Sequence, residues 1–524
     1  MAEEKKTKGI KQLKGRVETS LSGFFRCCIV ALLVAAQFAI LLLLPLWLRE
    51  YTVYFYTIME LFSFAFILIV TNDQKSMSYK IAWFCIVLIL PVSGFVMYAL
   101  WGKTGKNNKL QKKCLDKIVA GKKYLCQDKE VLEDFCEKHP VTSRMSRYMS
   151  NEGYPIWKNN EVKYYKMGED AFEDIFIDLE KAEKFILIDF FIVAEGAIWD
   201  RLHEILVRKI AEGVNVKFMY DDWGAMFRTG KDFARNLQRE GFQVQIFNPI
   251  HKYTDKLFMN FRSHQKIIVI DGNIGYTGGF NIADEYANLV ERFGVWKDTG
   301  VRLEGDAVWG LTVIFLQMWN VCCDYEAVDY EHYRPSRKFP DSSTYCHVLS
   351  DGPALNPKAF IETMYKQMIN YAGKKIYIMT PYLVLEEYME QSLIEAVRRG
   401  VDVRIITPNI PDKKNVKWLT EYNYGILLKN GVRVFEYTPG FIHAKVILNE
   451  HSAIVGTINM DYRSFYLHYE NGVWVYDEKV IDTILSDFRD TFEVSREITY
   501  EEWKNRPLRL KIIQAFLNIF STLV

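Results

Sequence analysis

Two pairs of histidine and lysine residues carry the clearest chemistry in the sequence. His264 and Lys266 begin one apolar run, and His443 and Lys445 begin another, 179 positions further on. Residues two apart on a strand point to the same face, so each lysine is predicted to lie beside its histidine. Two neighbouring histidines suit a double displacement at phosphorus, in which one forms a phosphohistidine and the other protonates the leaving alkoxide. The lysines would supply positive charge to the phosphoryl oxygens, so no metal and no other cofactor is expected.

Further polar residues follow both pairs at matching places. Asn281 and Asn459 come after small residues of a predicted hairpin and are expected to donate hydrogen bonds to the same phosphoryl oxygens. Asp271 and Glu450 each lie seven residues beyond their histidine. A carboxylate behind an imidazole fixes its tautomer and orientation, but an acid at a hairpin turn has the same spacing. Both acids are candidate catalytic residues, and the spacing does not decide between these roles.

The elements that must position these residues occur twice. In each copy a helical run precedes a strand, a helix then ends at a glycine, and two further strands come before the histidine. The matched predicted strands are Phe185–Asp189 with Ile376–Thr380, Val214–Tyr220 with Val401–Ile406, and Gly241–Phe247 with Gly431–Tyr437. Alternating helices and strands indicate α/β layers. The sequence therefore predicts a duplicated α/β domain.

Three apolar segments precede the duplicated part. Residues 27–48 and 81–101 contain no charged residue, and residues 51–71 contain only Glu60. Each reaches the roughly 20 residues that a helix needs to cross a bilayer. Basic residues flank the group on both sides, which favours the cytoplasm for both flanks. Three crossings would place the two basic flanks on opposite sides of the membrane. We therefore expect two to three transmembrane helices, with the catalytic part at the cytoplasmic face.

The net charge divides the chain into two parts. The first 123 residues hold 18 basic and 7 acidic residues, a balance of +11, whereas the whole chain carries +1. The remaining residues therefore carry −10. A basic stretch beside membrane segments is attracted to anionic lipid headgroups, and nucleic-acid binding needs a basic footprint that the catalytic part does not have. A phospholipid bilayer is the expected partner, and no nucleic acid is expected.

The cysteines and the other histidines do not have the sequence spacing of metal ligands. The nine cysteines include no C-x-x-C pair and predict neither a disulfide framework nor a zinc module. Seven histidines outside the two pairs are predicted to be surface or core residues: His139, His203, His251, His332, His347, His451 and His468.

The paired motifs resemble the H-x-K-x4-D motifs of the phospholipase D superfamily, and their surroundings resemble bacterial cardiolipin synthases. The segments that carry the resemblance include Asn260 to His264, Gly278 to Tyr286, Trp296 to Thr299, Thr380 to Tyr382 and Gly456 to Phe465. The resemblance runs from about Thr52 to the C-terminus. It implies two phospholipase D-like domains related by a pseudo-twofold axis, with the active site between them. The implied reaction converts two phosphatidylglycerol molecules into cardiolipin and glycerol.

The resemblance also implies roles for the motif residues. His264 and His443 would be nucleophile and general acid/base, and Lys266 and Lys445 would bind phosphate. We assign the nucleophile to His264, although the sequence alone treats the two histidines alike. The second motif departs from the pattern by having Glu450 in place of aspartate. A second departure is the additional apolar segment at residues 27–48.

These patterns divide the chain into six predicted regions. They are a basic segment (1–26), a membrane region (27–101), a basic linker (102–153), two phospholipase D-like domains (154–335 and 336–506) and an amphipathic tail (507–524). The tail is expected either in the bilayer interface or packed as a core or dimer helix, and the sequence leaves homo-oligomer formation open. Other functions considered are a hydrolytic phospholipase D, transfer to another alcohol, a nuclease and a non-catalytic lipid-binding scaffold.

Overall fold

The computed structural model describes residues 32, 35–36, 38–39, 51–72, 76–102, 109–249, 261–323, 328–356 and 358–523. The chain forms two compact units. One comprises Met1–Asn108, Asn248–Asn260 and Asn518–Val524, and the other comprises Lys109–Phe247 and Phe261–Leu517. All the sequence-predicted site residues belong to the second unit.

The first unit contains the helices Thr52–Thr71, Met77–Ile89 and Pro91–Met97, followed by a π-helical turn at Tyr98–Gly102. Edge-on aromatic contacts hold them together, with ring centroids 5.0 Å apart for Phe66 and Tyr98. The predicted span 81–101 is not one continuous helix, because Leu90 leaves the helical conformation before Pro91.

Within the described residues, none of the helices combines the length and the apolar character needed to cross a membrane. The prediction of two to three transmembrane helices is therefore not confirmed. The predicted span 27–48 lies almost entirely outside the described residues.

From Lys109 onward the helices surround two mixed β-sheets. Their bounds are Lys109–Lys122, Lys129–Lys138, Pro140–Asn151, Gly168–Glu180, Ala197–Ala211, Asp222–Ala225, Phe233–Arg239, Val308–Cys322, Phe360–Asn370, Glu387–Arg398, Lys414–Lys429, Tyr462–Tyr466, Glu478–Glu493, Tyr500–Lys504 and Leu508–Ile519. The described residues of the region predicted as a basic linker thus form three helices. Its Tyr124 carbonyl accepts a hydrogen bond from Trp309 Nε1 at 2.8 Å, so it packs on the helix Val308–Cys322.

The strands are numbered in chain order. They are β1 (Ile156–Trp157), β2 (Asn160–Tyr165), β3 (Phe185–Phe190), β4 (Asn215–Asp221), β5 (Gln243–Phe247), β6 (Arg262–Ser263), β7 (Lys266–Ile270), β8 (Ile274–Gly278), β9 (Val295–Lys297), β10 (Gly300–Gly305), β11 (Tyr345–Asp351), β12 (Lys375–Met379), β13 (Leu383–Val384), β14 (Asp402–Pro408), β15 (Arg433–Tyr437), β16 (Gly440–Ile442), β17 (Val446–Leu448), β18 (Ala453–Gly456), β19 (Met460–Asp461), β20 (His468–Tyr476) and β21 (Ser495–Ile498).

The two sheets repeat one topology, which confirms the predicted duplication. The first has the order β2-β10-β8-β7-β3-β4-β5, and the second contains β11-β20-β18-β17-β12-β14-β15. In both, three strands run parallel and the strand after the histidine lies antiparallel to them. The second sheet gains β1 at one edge and β21 at the other. Gly213 and Gly400 follow matching helices at positive φ, the usual helix-ending conformation of glycine.

Two short strand pairs join the halves. β6, just before His264, pairs with β20 of the second half, and β16, just before His443, pairs with β9 of the first half. The backbone N–H of His264 donates to the Tyr469 carbonyl at 2.8 Å, and that of His443 donates to the Lys297 carbonyl at 2.7 Å. Each histidine is therefore held by the opposite half.

Candidate active site

The two histidine–lysine pairs lie together between the halves, and all four side chains are buried. His264 and His443 occupy the extended segments that lead into β7 and β17. Lys266 Nζ donates to the His264 carbonyl at 2.8 Å, and Lys445 Nζ donates to the His443 carbonyl. Each lysine is thereby held against its own histidine, as the spacing predicts.

A carboxylate from the opposite half contacts each imidazole. His264 Nδ1 lies 2.9 Å from a Glu470 oxygen, and His443 Nδ1 lies 2.7 Å from Asp298 Oδ2. Because a carboxylate oxygen accepts, Nδ1 of His443 carries the proton and Nε2 keeps its lone pair. Lys445 Nζ is also 2.9 Å from His443 Nδ1, a close approach that is not a hydrogen bond while Nδ1 donates to Asp298.

Asp271 and Glu450 do not orient the histidines. Asp271 accepts hydrogen bonds from the backbone N–H groups of residues 183, 184 and 185, all at 2.8 Å. Glu450 accepts from the N–H of Gly373 at 2.6 Å and, more weakly, from that of Lys375 at 3.5 Å. Asp271 thus fixes the chain where it enters β3, and Glu450 fixes it where it enters β12. These contacts agree with the alternative role of an acid at a hairpin turn. The prediction that Asp271 and Glu450 are catalytic residues is therefore corrected.

Sequence reasoning missed the two carboxylates that do contact the imidazoles. One signal could have found them: Asp298-Thr-Gly300-Val301 and Glu470-Asn-Gly472-Val473 occupy corresponding positions at β10 and β20. Each acid precedes a glycine by two residues in a strand beside the histidine hairpin.

The predicted amide donors follow the matching strands β8 and β18. Asn281 accepts from the Ile192 N–H at 3.0 Å and donates to the Tyr286 hydroxyl at 2.8 Å. Its Nδ2 carries two hydrogens, so one remains for a ligand. Asn459 is buried, and its Oδ1 has no hydrogen-bond partner among the described residues.

Burial dominates the titration of the site. It lowers the pKa of His443 to about 4 and that of His264 well below the usual value, and the neighbouring lysines lower both further. Burial also lowers the pKa of Lys266 to about 7 and that of Lys445 to about 8. The pKa of Glu470 is raised by burial to about 8. Both histidines are therefore neutral near pH 7.

His468, predicted to be a surface or core residue, lies in the site. Its ring centroid is 5.3 Å from that of His264. His264, His468 and Glu470 place potential metal ligands within 4.8 Å of one another. Burial lowers the pKa of His468 most, and the nearby cations, which include Lys266 and Arg262, lower it further. Such cations oppose the binding of a divalent metal.

Comparisons with known proteins identify the family. The model described as "Cardiolipin synthase, PLD-like domain" matches residues 175–304 and 365–492, and "Phospholipase_D-nuclease N-terminal" matches residues 61–103. The chain is 32% identical over 466 residues to the major cardiolipin synthase ClsA of Bacillus subtilis, covering 87% of this chain and 96% of that protein. It is 31% identical over 465 residues to a cardiolipin synthase of Listeria monocytogenes, covering 86% and 95% of the two chains.

An uncharacterized protein of Streptococcus mutans is 37% identical over 467 residues, which cover 87% of this chain and 99% of that protein. Among solved structures, a phosphatidylserine synthase of Haemophilus influenzae matches with a TM-score of 0.55 and 15% identity, covering 73% of this chain and 97% of that chain. This last likeness supports the fold alone.

Proposed function

The chain belongs to the family of cardiolipin synthases with paired phospholipase D-like domains, and we propose that it transfers a phosphatidyl group between two phosphatidylglycerol molecules to give cardiolipin and glycerol. One observation carries the mechanism. Each of the two histidines has its Nδ1 against a carboxyl group of the opposite half and a lysine beside it.

The first step forms a covalent intermediate. His264 Nε2 attacks the phosphorus of the donor lipid, and an N–P bond forms as the P–O bond to the glycerol headgroup breaks. His443 Nε2 gives its proton to the departing glycerol oxygen. Burial lowers the pKa of His443 to about 4. A bound phosphate anion and the adjacent Asp298 both favour the imidazolium that this step requires.

The second step transfers the lipid to its acceptor. A glycerol hydroxyl of the second phosphatidylglycerol attacks the phosphorus, and its proton passes to His443 Nε2. The N–P bond breaks, cardiolipin leaves, and His264 returns to its neutral form. In both steps Lys266 and Lys445 stabilise the negative charge on the phosphoryl oxygens, supported by the amides of Asn281 and Asn459.

The assignment of His264 as nucleophile has electrostatic support. A nucleophilic imidazole must be neutral, and the pKa of His264 is lowered well below its usual value by burial and by Lys266. A general acid must hold a proton, and Asp298 partly offsets the lowering of the pKa of His443.

We also place the protein at the cell membrane, where its lipid substrates are, with the catalytic unit on the cytoplasmic side. Exposed apolar side chains support the membrane association. They include Tyr54, Ile58, Leu61 and Phe64 on the helix Thr52–Thr71, and Leu508 and Ile512 on the helix Leu508–Ile519. The basic flanks of the apolar segments support the orientation.

The product ratio tests the function. Purified protein is incubated with vesicles whose only lipid is phosphatidylglycerol, and cardiolipin, phosphatidic acid and glycerol are quantified. We expect cardiolipin and glycerol in equal amounts from the wild type and neither from His264→Asn. Phosphatidic acid without cardiolipin would identify a hydrolase, and the absence of all products would identify a scaffold. If the acceptor is a different alcohol, that alcohol will compete with phosphatidylglycerol when it is added to the vesicles.

A further inference from the structure

A buried lysine next to Asp298 connects the two halves and has no part in the proposed reaction. Lys297 is the last residue of β9, and Asp487 lies on the helix Glu478–Glu493 of the second half. Lys297 Nζ is 2.7 Å from Asp487 Oδ1, and the two side chains are only 5% and 2% exposed. A buried ion pair is costly unless its remaining hydrogen bonds are satisfied.

Groups of the first half satisfy these hydrogen bonds. Lys297 Nζ also donates to the Lys166 carbonyl at 3.0 Å, and the Tyr164 hydroxyl donates to Asp487 Oδ2 at 2.7 Å. Burial raises the pKa of Tyr164 well above its usual value, and Asp487 raises it further, so the hydroxyl keeps its proton. The ion pair is therefore a fixed connection between the halves.

The segment that carries Lys297 also supports His443. The Lys297 carbonyl accepts the backbone N–H of His443 at 2.7 Å, and β9 pairs with β16 just before this histidine. The next residue, Asp298, places Oδ2 against His443 Nδ1, while its Oδ1 accepts from the N–H of Thr299 at 2.9 Å. These two hydrogen bonds of His443 thus come from adjacent residues of the first half, and the Lys297 side chain anchors them both.

The corresponding support of His264 has no ion pair. Tyr469 takes the place of Lys297, since its carbonyl accepts the backbone N–H of His264 and it precedes Glu470. Its buried ring lies 5.5 Å from that of Phe247, and burial raises its pKa well above the usual value, so it is uncharged. Loss of the Lys297–Asp487 pair should therefore affect the role of one histidine only.

We propose that Lys297 and Asp487 are positioning residues for acid–base catalysis, and that their ion pair holds Asp298 against Nδ1 of His443. This inference rests on the proposed function, in which His443 protonates the departing glycerol. Without the pair, Asp298 is no longer held in place and proton transfer by His443 becomes slower. The attack of His264 on phosphorus does not depend on this connection.

A leaving group that needs no proton separates these two effects. With phosphatidyl-p-nitrophenol, the N–P bond to His264 forms as the P–O bond breaks, and p-nitrophenolate leaves as a stable anion without a general acid. Excess enzyme is mixed with this lipid or with phosphatidylglycerol, and release of nitrophenolate or glycerol is followed over a single turnover. We expect Lys297→Met to slow glycerol release about tenfold, part of a general-acid contribution, and nitrophenolate release by less than about twofold.

Lys417 provides the matched control. Its Nζ donates to the Pro408 carbonyl at 2.7 Å and pairs with Glu436, so it has the same kinds of partner as Lys297. This pair is also largely buried, but both of its members belong to the second half. Lys417→Met should leave the ratio of the two release rates unchanged.

The double variant Lys297→Met/Asp487→Asn keeps the test decisive if Lys297→Met fails to fold. It leaves no unpaired carboxylate in the interior, and the amide oxygen still accepts from Tyr164. We expect the same selective loss of glycerol release. Equal slowing of both release rates, or slowing of neither, would overturn the positioning role, as would a selective loss in Lys417→Met. Failure of the wild type to release glycerol would instead overturn the proposed function, and the inference with it.

Discussion

At the scale of single residues, the acids of the site divide into two kinds. Asp298 and Glu470 contact the imidazoles across the interface between the halves, whereas Asp271 and Glu450 accept backbone hydrogen bonds within their own half. The first kind lies against an imidazole Nδ1, and the second holds a strand in place. The two kinds should therefore respond differently to the same substitution.

We expect Asp298→Asn to lower kcat about 10³-fold, because an amide no longer stabilises the His443 imidazolium or fixes its tautomer. Asp271→Asn is the matched control. It should cost about 1–3 kcal/mol of stability through its three weakened hydrogen bonds, with little change in kcat per folded molecule. Steady-state kinetics and thermal unfolding of both variants check this. A loss of kcat in Asp271→Asn as large as that in Asp298→Asn would contradict the assignment.

The lysines predict a pH dependence. Burial lowers the pKa of Lys266 to about 7 and that of Lys445 to about 8, so both are charged below these values and lose their charge as the pH rises through them. We expect kcat/KM to fall over this range as the phosphate-binding charge is lost. Lys266→Arg should move the onset of the fall to higher pH, because Lys266 has the lower pKa and a guanidinium stays protonated. An unmoved fall in both Lys445→Arg and Lys266→Arg would assign it to another group.

At the scale of elements, the ends of β8 and β18 hold the carboxylates in place differently. Gly279 follows β8 beside Asp298, and Thr457 follows β18, where its hydroxyl donates to Glu470. A Cβ on Gly279 would lie 2.0 Å from Asp298 Oδ1 and 3.0 Å from the His443 carbonyl. The first half thus leaves no room for a side chain at this point.

Gly279→Ala should therefore displace Asp298 and lower kcat about 10²-fold, the size of a lost acid–base contribution. Gly275→Ala, within β8, is the control, since its Cβ would meet only side-chain atoms, those of Leu311 at 2.8 Å and of Val308 at 3.3 Å. We expect Gly275→Ala to affect thermal stability more than kcat. Full activity of Gly279→Ala would show that catalysis does not require Asp298 to stay where it lies beside Gly279.

The elements also show which features the sequence could predict. The duplicated strand order and the position of each lysine beside its histidine follow from local spacing, and the structure has both. The pairs His443–Asp298 and His264–Glu470 join residues 145 and 206 positions apart, so local spacing does not show which acid meets which histidine. His468 belongs to the site for the same reason: it comes there through the pairing of β20 with β6.

At the scale of the whole molecule, the helix Leu508–Ile519 presents apolar residues to solvent. Leu508 is 71% exposed and Ile512, one turn later, is 60% exposed. Arg509 and Lys511 lie between them. An exposed apolar stripe with basic neighbours is typical of a helix that binds in the interface of an anionic bilayer.

We expect the double variant Leu508→Gln/Ile512→Gln to bind anionic vesicles about tenfold more weakly, since it removes apolar area that the bilayer would bury. Ile177→Gln/Val494→Gln, which changes two exposed apolar residues elsewhere, is the control. Co-sedimentation with phosphatidylglycerol vesicles measures both. Equal binding by the two double variants would show that this helix is not a membrane contact.

The covalent intermediate gives the most direct test of the central claim. Full-length protein is mixed with phosphatidylglycerol radiolabelled at phosphate, quenched in denaturant and digested, and the labelled peptide is identified. We predict acid-labile label on the peptide containing His264 in the wild type and no bound label in His264→Asn. Label that stays on the protein in His264→Asn, or cardiolipin synthesis by that variant, would contradict the assigned nucleophile and the mechanism built on it.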